Sequence, residues 1–432
     1  MRHNGKSFIM AGIAVCFLFS GCSAGKGSGE QEQSSETYKP STEPVTIRIA
    51  TTPSASVTED DFRLLFTEPV KAKYPHITLE LVKYGNGSTV EDWIASGSVP
   101  DMMLVWNGEL GGYAKYDLLE AIDPLIKKHG LDLTRFDGIV LDAVRAISSK
   151  SELYGLPYAV QLNALYYNKD IFDKFGTSYP KDGMTWDEAI DLAKRLTREE
   201  GGVQYRGLHP ETIMRLAFPF SINLINPKTN RADINNDSWK SAFDVMGRII
   251  GIPGNWSATP AYTTAFMKDQ NVAMLASINL FDQLEKASKD GFTNWDVAQY
   301  PSYPDKPNVY GMVDTHIVAI TKTSKHKDQA LQVADVITSL PVQNMLMQRG
   351  RLSSLSDTGL KKRFGEELPS LKGKRIDSIF KSKPAPGKEF SPYFAEARTI
   401  LLQGFNEFVA GKDANTVLRE AEEQVNAMLS QK

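Results

Sequence analysis

Residues 154–172 read YGLPYAVQLNALYYNKDIF, and two amides, Gln161 and Asn163, interrupt an otherwise apolar and aromatic run. A strand buried on both faces stays dry, so amides there imply a wet surface or backbone groups that need partners. Upstream, VTIRIA (45–50), ITLELV (77–82) and DMMLVW (101–106) read as short strands, with helix-like stretches at 61–73 and 89–95 between them. That alternation is the pattern of a βαβ sheet. Downstream, TWDEAIDLAKRLT opens with Thr185 and Glu188 at capping-box spacing and puts Trp186, Ala189, Ile190, Ala193 and Leu196 on one helical face, so Trp186 reads as structural. VAMLAS (272–277) and HIVAIT (316–321) predict later strands. KDQALQVADVITSL, residues 341–349 before Gly350, and residues 414–429 predict later helices. The strands fall into an early and a late set with the quoted stretch at their junction, where the chain must pass from one lobe to another.

The first residues, MRHNGKSFIMAGIAVCFLFSGCS, carry Arg2 and Lys6, then apolar residues from Phe8 to Phe19, then Ser20-Gly21-Cys22. This is the layout of a secretion signal. Twelve helical residues rise about 18 Å, too little to span a hydrocarbon core of about 30 Å. Residues 22–43, rich in Ser, Gly and Glu, cannot bury enough surface to order themselves and read as a flexible tether. Loss of residues 1–21 removes Arg2 and Lys6 and no acidic side chain, leaving 47 basic against 52 acidic groups. Nothing in that balance favours nucleic acid or an anionic membrane surface. The chain has two cysteines, Cys16 and Cys22, and the first leaves with the signal, so the exported body has no disulfide to rest on.

The residue pattern argues for little covalent chemistry. Six histidines are scattered without metal-ligand spacing, and H-E-x-x-H, G-x-S-x-G, P-loop and G-x-G-x-x-G motifs are absent, so no metal and no cofactor is expected. GNGS at 85–88 reads as a surface turn. Carboxylates are numerous enough to leave a glycosidase dyad open.

GLPYAVQLNALYYNKDIFDKFGTSYPKDGMTWDEAIDLAKRLT (155–197) resembles the signature of bacterial extracellular solute-binding proteins of the maltose-binding, or family 1, type, in which a Pro-containing strand leads through YNKD to a TW-x-E helix start. VPDMMLVWNGELGGYAKYDLLEAI (99–122) is similar to their segment that ends a strand in an aromatic contact residue. Small residues before Cys22 resemble a lipobox, with Phe19 where Leu is usual; the resemblance makes Cys22 the acylated, palmitate-bearing N-terminus of a lipoprotein. It implies an α/β body of two lobes with three hinge crossings and an interlobe cleft. Its expected boundaries are 44–160 with about 278–315 in the first lobe and 164–277 with about 316–432 in the second, the C-terminal helices packing across both. The expected role is that of a monomeric, non-enzymatic receptor, held extracellularly at the cell membrane by its lipid anchor. It would capture a carbohydrate for an ABC importer and dock on the permease subunits. A secreted carbohydrate-active enzyme and a ligand-sensing partner of a membrane kinase are the alternatives.

The resemblance makes Val160–Ala164 a hinge crossing, so Gln161 and Asn163 are expected to face the cleft, where an amide both gives and accepts the hydrogen bonds that sugar hydroxyls offer. Aromatic faces are the second requirement, because the C–H face of a pyranose is apolar. Trp106 stands where the family places such a ring, and Glu109 where it places a sugar-contacting carboxylate. SPYFAEART (391–399) matches a helix start that supplies another ring, which makes Tyr393 or Phe394 the candidates. Further expected contacts are Tyr158, Arg215, Trp256 and Thr52, with Asn279 and Asp282 after a second crossing strand and Asp314 at a third crossing; His316 is expected to be packed.

Overall fold

The computed structural model describes residues 41–257 and 261–432; Cys22, the signal segment and the tether to residue 40 lie outside the described residues. In chain order the strands are β1 (Val45–Ala50), β2 (Ile77–Val82), β3 (Met102–Trp106), β4 (Gly155–Val160), β5 (Asn163–Asn168), β6 (Arg198–Glu200) and β7 (Val203–His209). They continue as β8 (Ile225–Asn226), β9 (Arg231–Ala232), β10 (Val272–Ile278), β11 (Trp295–Ala298), β12 (Val309–Met312), β13 (Thr315–Ile320) and β14 (Lys383–Ala385). Two five-stranded sheets result, β2-β1-β3-β13-β4 and β11-β5-β10-β7-β6, with short pairs β12-β14 and β8-β9 beside them.

Local sequence explains the punctuation. Thr185 and Glu188 close the capping box that their spacing predicts, so the helix Trp186–Leu196 starts where expected; Thr89 and Asp92 close another before the helix Val90–Ser96, within the helix-like stretch 89–95. The helix Leu340–Gln348 ends before Gly350, whose φ of 73° is the left-handed conformation that suits glycine. Pro157 lies on β4, an edge strand of its sheet, where a missing N–H donor costs least. GNGS is a turn, with Gly85 bridged to Ser88.

Each sheet has its own core. Around the first, Ile47, Leu104, Ile317 and Val318 pack with Val333 and Ile337 of the helix Lys327–Ile337. Around the second, Leu165, Trp186, Trp239, Phe243 and Met274 pack with Leu401, Phe405, Leu418 and Val425 of the C-terminal helices. Trp186 is fully buried with its ring edge-on to Tyr300, as its helical face predicts.

The later segments join the sheets in the opposite sense to the expected boundaries. β11, within 278–315, lies in the second sheet, while β13, at the start of 316–432, sits between β3 and β4 in the first. The physical reason is the packing of the helix Phe281–Lys289, whose Phe281 and Leu284 join Leu275, Phe292 and Trp295 and so keep the chain on the second lobe after β10. Consequently Ile278 does not begin a crossing. Three crossings remain: Gln161–Leu162 between β4 and β5, Val313–Asp314 between β12 and β13, and the segment around Gly350–Leu352. That last segment is tied to both sides by one side chain, since Arg351 Nη2 donates to Asp61 Oδ2 at 2.7 Å and to Asp282 Oδ2 at 2.8 Å.

Candidate functional site

Carboxyl ends of parallel strands leave unpaired backbone and open space, which is where α/β folds place ligands. Here β1, β2 and β3 end in Ala50, Val82 and Trp106, and the residues just beyond them form one wall of a cleft of about 630 Å³. Tyr84, Trp106, Glu109, Tyr113 and Tyr116 line that wall; Gln161, Arg215, Phe218 and Asp314 line the floor and far side, and Phe394 and Arg398 enter from the helix Phe394–Val409.

Trp106 is half-buried, its ring 5.6 Å from Phe390 and 6.0 Å from Phe394. The indole folds back over Gly108 so closely that a Cβ there would lie 2.3 Å from the ring. Glycine at 108 is therefore what lets the tryptophan lie flat against its own turn. Glu109 accepts from Thr52 Oγ1 at 3.0 Å and Ser54 Oγ at 2.6 Å, both from the loop after β1. Burial pushes its carboxyl above the usual carboxylate range, against the opposing pull of the Ser54 and Thr52 hydroxyls.

On the floor, Arg215 is flanked by two carboxylates: Nε donates to Glu211 Oε1 at 3.2 Å and Nη1 to Asp314 Oδ2 at 3.0 Å. Burial opposes the guanidinium charge, but Glu211 and Asp314 outweigh it and hold the group protonated. The backbone of the crossing is fixed at the same place, Gln161 N–H donating to the Asp314 carbonyl at 2.8 Å, and the Gln161 side chain is left to the cleft.

Of the sequence-derived candidates, Trp106, Glu109, Gln161, Arg215, Asp314 and Phe394 meet in this cleft. The others stand elsewhere. Asn163 is buried, its Nδ2 donating to the Tyr310 carbonyl at 2.8 Å, so it serves hinge backbone and not a ligand. Tyr158 is a core ring packed edge-on to Phe66. Thr52 is buried behind Glu109 and donates to its carboxylate. Trp256 stacks on His209 with ring centroids 5.1 Å apart. Asn279 donates to the Gly350 carbonyl at 2.7 Å, and Asp282 pairs with Arg351. Tyr393 precedes the helix start, its ring 5.2 Å from Lys115 Nζ and outside the lining. His316, expected to be packed, lines the cleft while leaning on Tyr158.

Sequence reasoning missed Tyr84, Tyr113, Tyr116, Glu211 and Arg398. The tyrosines carried a usable signal, since each follows the end of a predicted parallel strand; Glu211 and Arg398 carried none.

A family profile described as bacterial extracellular solute-binding protein matches residues 56–344. The chain belongs to the bacterial extracellular solute-binding proteins. This is a family of binding proteins that serve transporters, not of enzymes. A binding protein of Brucella abortus is 25% identical over 257 residues, 56% of this chain, and the match spans only 59% of that relative's length. The lactose-binding protein of Rhizobium radiobacter is 21% identical over 379 residues, covering 83% of this chain and 87% of the relative. Among solved structures, an ABC substrate-binding protein from Listeria monocytogenes in complex with cycloalternan superimposes with a TM-score of 0.74 at 18% identity, over 90% of this chain and 100% of that one. The fold is thus the two-lobed α/β fold of extracellular sugar-binding proteins. Among the described residues no helix is long and apolar enough to cross a membrane.

Proposed function

We propose that the protein captures a carbohydrate, an oligosaccharide in preference to a single sugar, and delivers it unaltered to an ABC importer. The observation that carries this reading is the composition of one cleft: flat rings on one wall (Trp106, Tyr84, Tyr113, Tyr116, with Phe394) and amide, guanidinium and carboxylate groups on the floor (Gln161, Arg215, Asp314). Rings accept the apolar face of a pyranose, and the polar groups read its rim of hydroxyls. Relatives named for lactose and arabinooligosaccharide and a neighbour solved with mannotriose support the same class. Cys22 would carry the acyl chains that hold the receptor on the extracytoplasmic face, raising its effective concentration at the permease subunits. All the residues proposed to touch the ligand lie on one chain, so binding as proposed needs no second copy.

A thermal-shift screen of the full chain against lactose, arabinooligosaccharide, mannotriose and cycloalternan tests this, because a ligand that binds only the folded state raises its stability. At least one saccharide should raise the melting temperature and be recovered chemically unchanged after long incubation. No shift with any saccharide would sink the carbohydrate reading, and recovery of cleaved sugar would turn it towards an enzyme.

A further inference from the structure

At the back of the cleft floor one lining residue, Glu211, is held in a way that ligand contact alone does not explain. Glu211 has a φ of 61°, the left-handed conformation that a residue with a Cβ holds only when its surroundings over-determine it. Its surroundings do so from both ends. The Glu211 N–H donates to His209 Nδ1 at 3.1 Å, and the His209 ring is stacked between Trp256, 5.1 Å away at 13°, and Tyr262, 4.8 Å away at 17°, so the accepting nitrogen has no room to swing. The Glu211 carboxylate takes Ser277 Oγ at 2.7 Å and Ile278 N–H at 3.0 Å on one oxygen, which leaves the other for Arg215 Nε. The second edge of the same guanidinium is held by Asp314, on a crossing.

Two of the five N–H donors of Arg215 are spent in this way, and the other three have no protein partner among the described residues. One carboxylate already neutralises the guanidinium; the second holds its other edge, with the Arg398 guanidinium as a further cation in the same cleft. Glycine would adopt the backbone of residue 211 without strain, so glutamate there is retained for its side chain.

We propose that Glu211 is a positioning residue for ligand recognition, whose over-determined backbone and buried carboxylate aim the free edge of the Arg215 guanidinium into the cleft as a fixed fork for vicinal hydroxyls. The inference rests on the carbohydrate reading of the cleft. It adds a lining residue whose two carboxylate oxygens are both taken by protein donors, so that it acts through Arg215. With Asp314 Oδ1 beside it, the fork offers donors and an acceptor side by side, the pattern that two neighbouring hydroxyls of one sugar ring would meet.

The test uses the full chain with whichever of lactose, arabinooligosaccharide, mannotriose or cycloalternan binds it. Glu211→Gln and Glu211→Gly should each weaken binding by about ten- to a hundredfold, the range for a charge-assisted hydrogen bond that is removed or misaimed. Added to Arg215→Met, either change should cost less than about twofold more, because the residue works through Arg215. Independently of any sugar, the Nε–H resonance of Arg215 should exchange slowly with water in the wild type and rapidly in Glu211→Gln. If the single variants bind within twofold of wild type, or if their losses multiply with that of Arg215→Met, Glu211 is structural and the proposal fails. Should the wild type bind none of the four sugars, the carbohydrate reading falls, and the Arg215 resonance then decides the positioning claim alone: unchanged exchange in Glu211→Gln overturns it.

Discussion

On the first-lobe wall of the cleft, Trp106 is held by rings, Phe390 and Phe394, and by the missing side chain at Gly108. On the floor, Arg215 is held by charges, Glu211 and Asp314, in a largely buried group that opens only towards the cleft. Both arrangements present a still surface to the cleft, but they fail differently. A packed ring that is cut away leaves a gap that water can enter at the cleft edge. A buried guanidinium that is cut away leaves two carboxylates without a counter-charge. The first wall should therefore be tolerant in stability and sensitive in affinity, and the floor sensitive in both.

The largest effect expected from this contrast is on stability. Arg215→Met should destabilise the fold by about 3–5 kcal/mol, measured by denaturant unfolding, since removal of one partner from a buried ion group leaves uncompensated charge. A loss no greater than that of an exposed arginine, a few tenths of a kcal/mol, would mean that the floor is not held by charge.

Acid sharpens the comparison next, because the two walls respond with opposite signs. His209, behind the floor, is buried, and burial pushes its imidazole down from the ordinary value to about 4. A depressed histidine pKa means that the unfolded chain takes up protons which the folded one refuses. Its contribution is thus intact above the ordinary value of about 6.5 and is lost as pH falls towards 4, by roughly 3 kcal/mol at most. Replacing His209 by Gln should flatten that part of the stability profile between pH 6.5 and 4.

Glu109, on the opposite wall, has a raised carboxyl, so its charged form is what costs stability: the penalty is absent below its unfolded pKa and grows as pH rises through the folded one. Glu109→Gln should therefore raise the melting temperature slightly at pH 7 and lose that gain in acid. A gain that persists unchanged at pH 4 would assign it to packing instead.

The same contrast explains what could be read from sequence. Strand and helix starts were legible because they depend on neighbours in the chain: the capping pair Thr185–Glu188 and the stop at Gly350. Trp106 and Glu109 were legible through the family resemblance, which places a ring and a carboxylate at those positions, and both line the cleft. Which sheet a late strand joins was not legible, since β13 is drawn between β3 and β4 by partners more than 150 residues away in the chain. Gln161 and Asn163 are both expected to face the cleft from a hinge crossing at 160–164, yet one lines the cleft and the other is buried against Tyr310. The crossing proper is only Gln161–Leu162, and Asn163 already begins β5 of the second sheet. Trp256 and Tyr158 illustrate a further limit, because an aromatic side chain suits a core and a cleft equally well and only long-range packing chooses.

Calorimetric titration of the wild type and Trp106→Ala with lactose, arabinooligosaccharide, mannotriose and cycloalternan tests the central claim most directly. The wild type should bind at least one of these with single-site stoichiometry. Trp106→Ala, still folded by circular dichroism, should bind it about ten- to a hundredfold more weakly, the weakening expected when a stacked ring face is removed. Binding of equal strength by the two proteins would place the ligand somewhere other than this cleft and contradict the account.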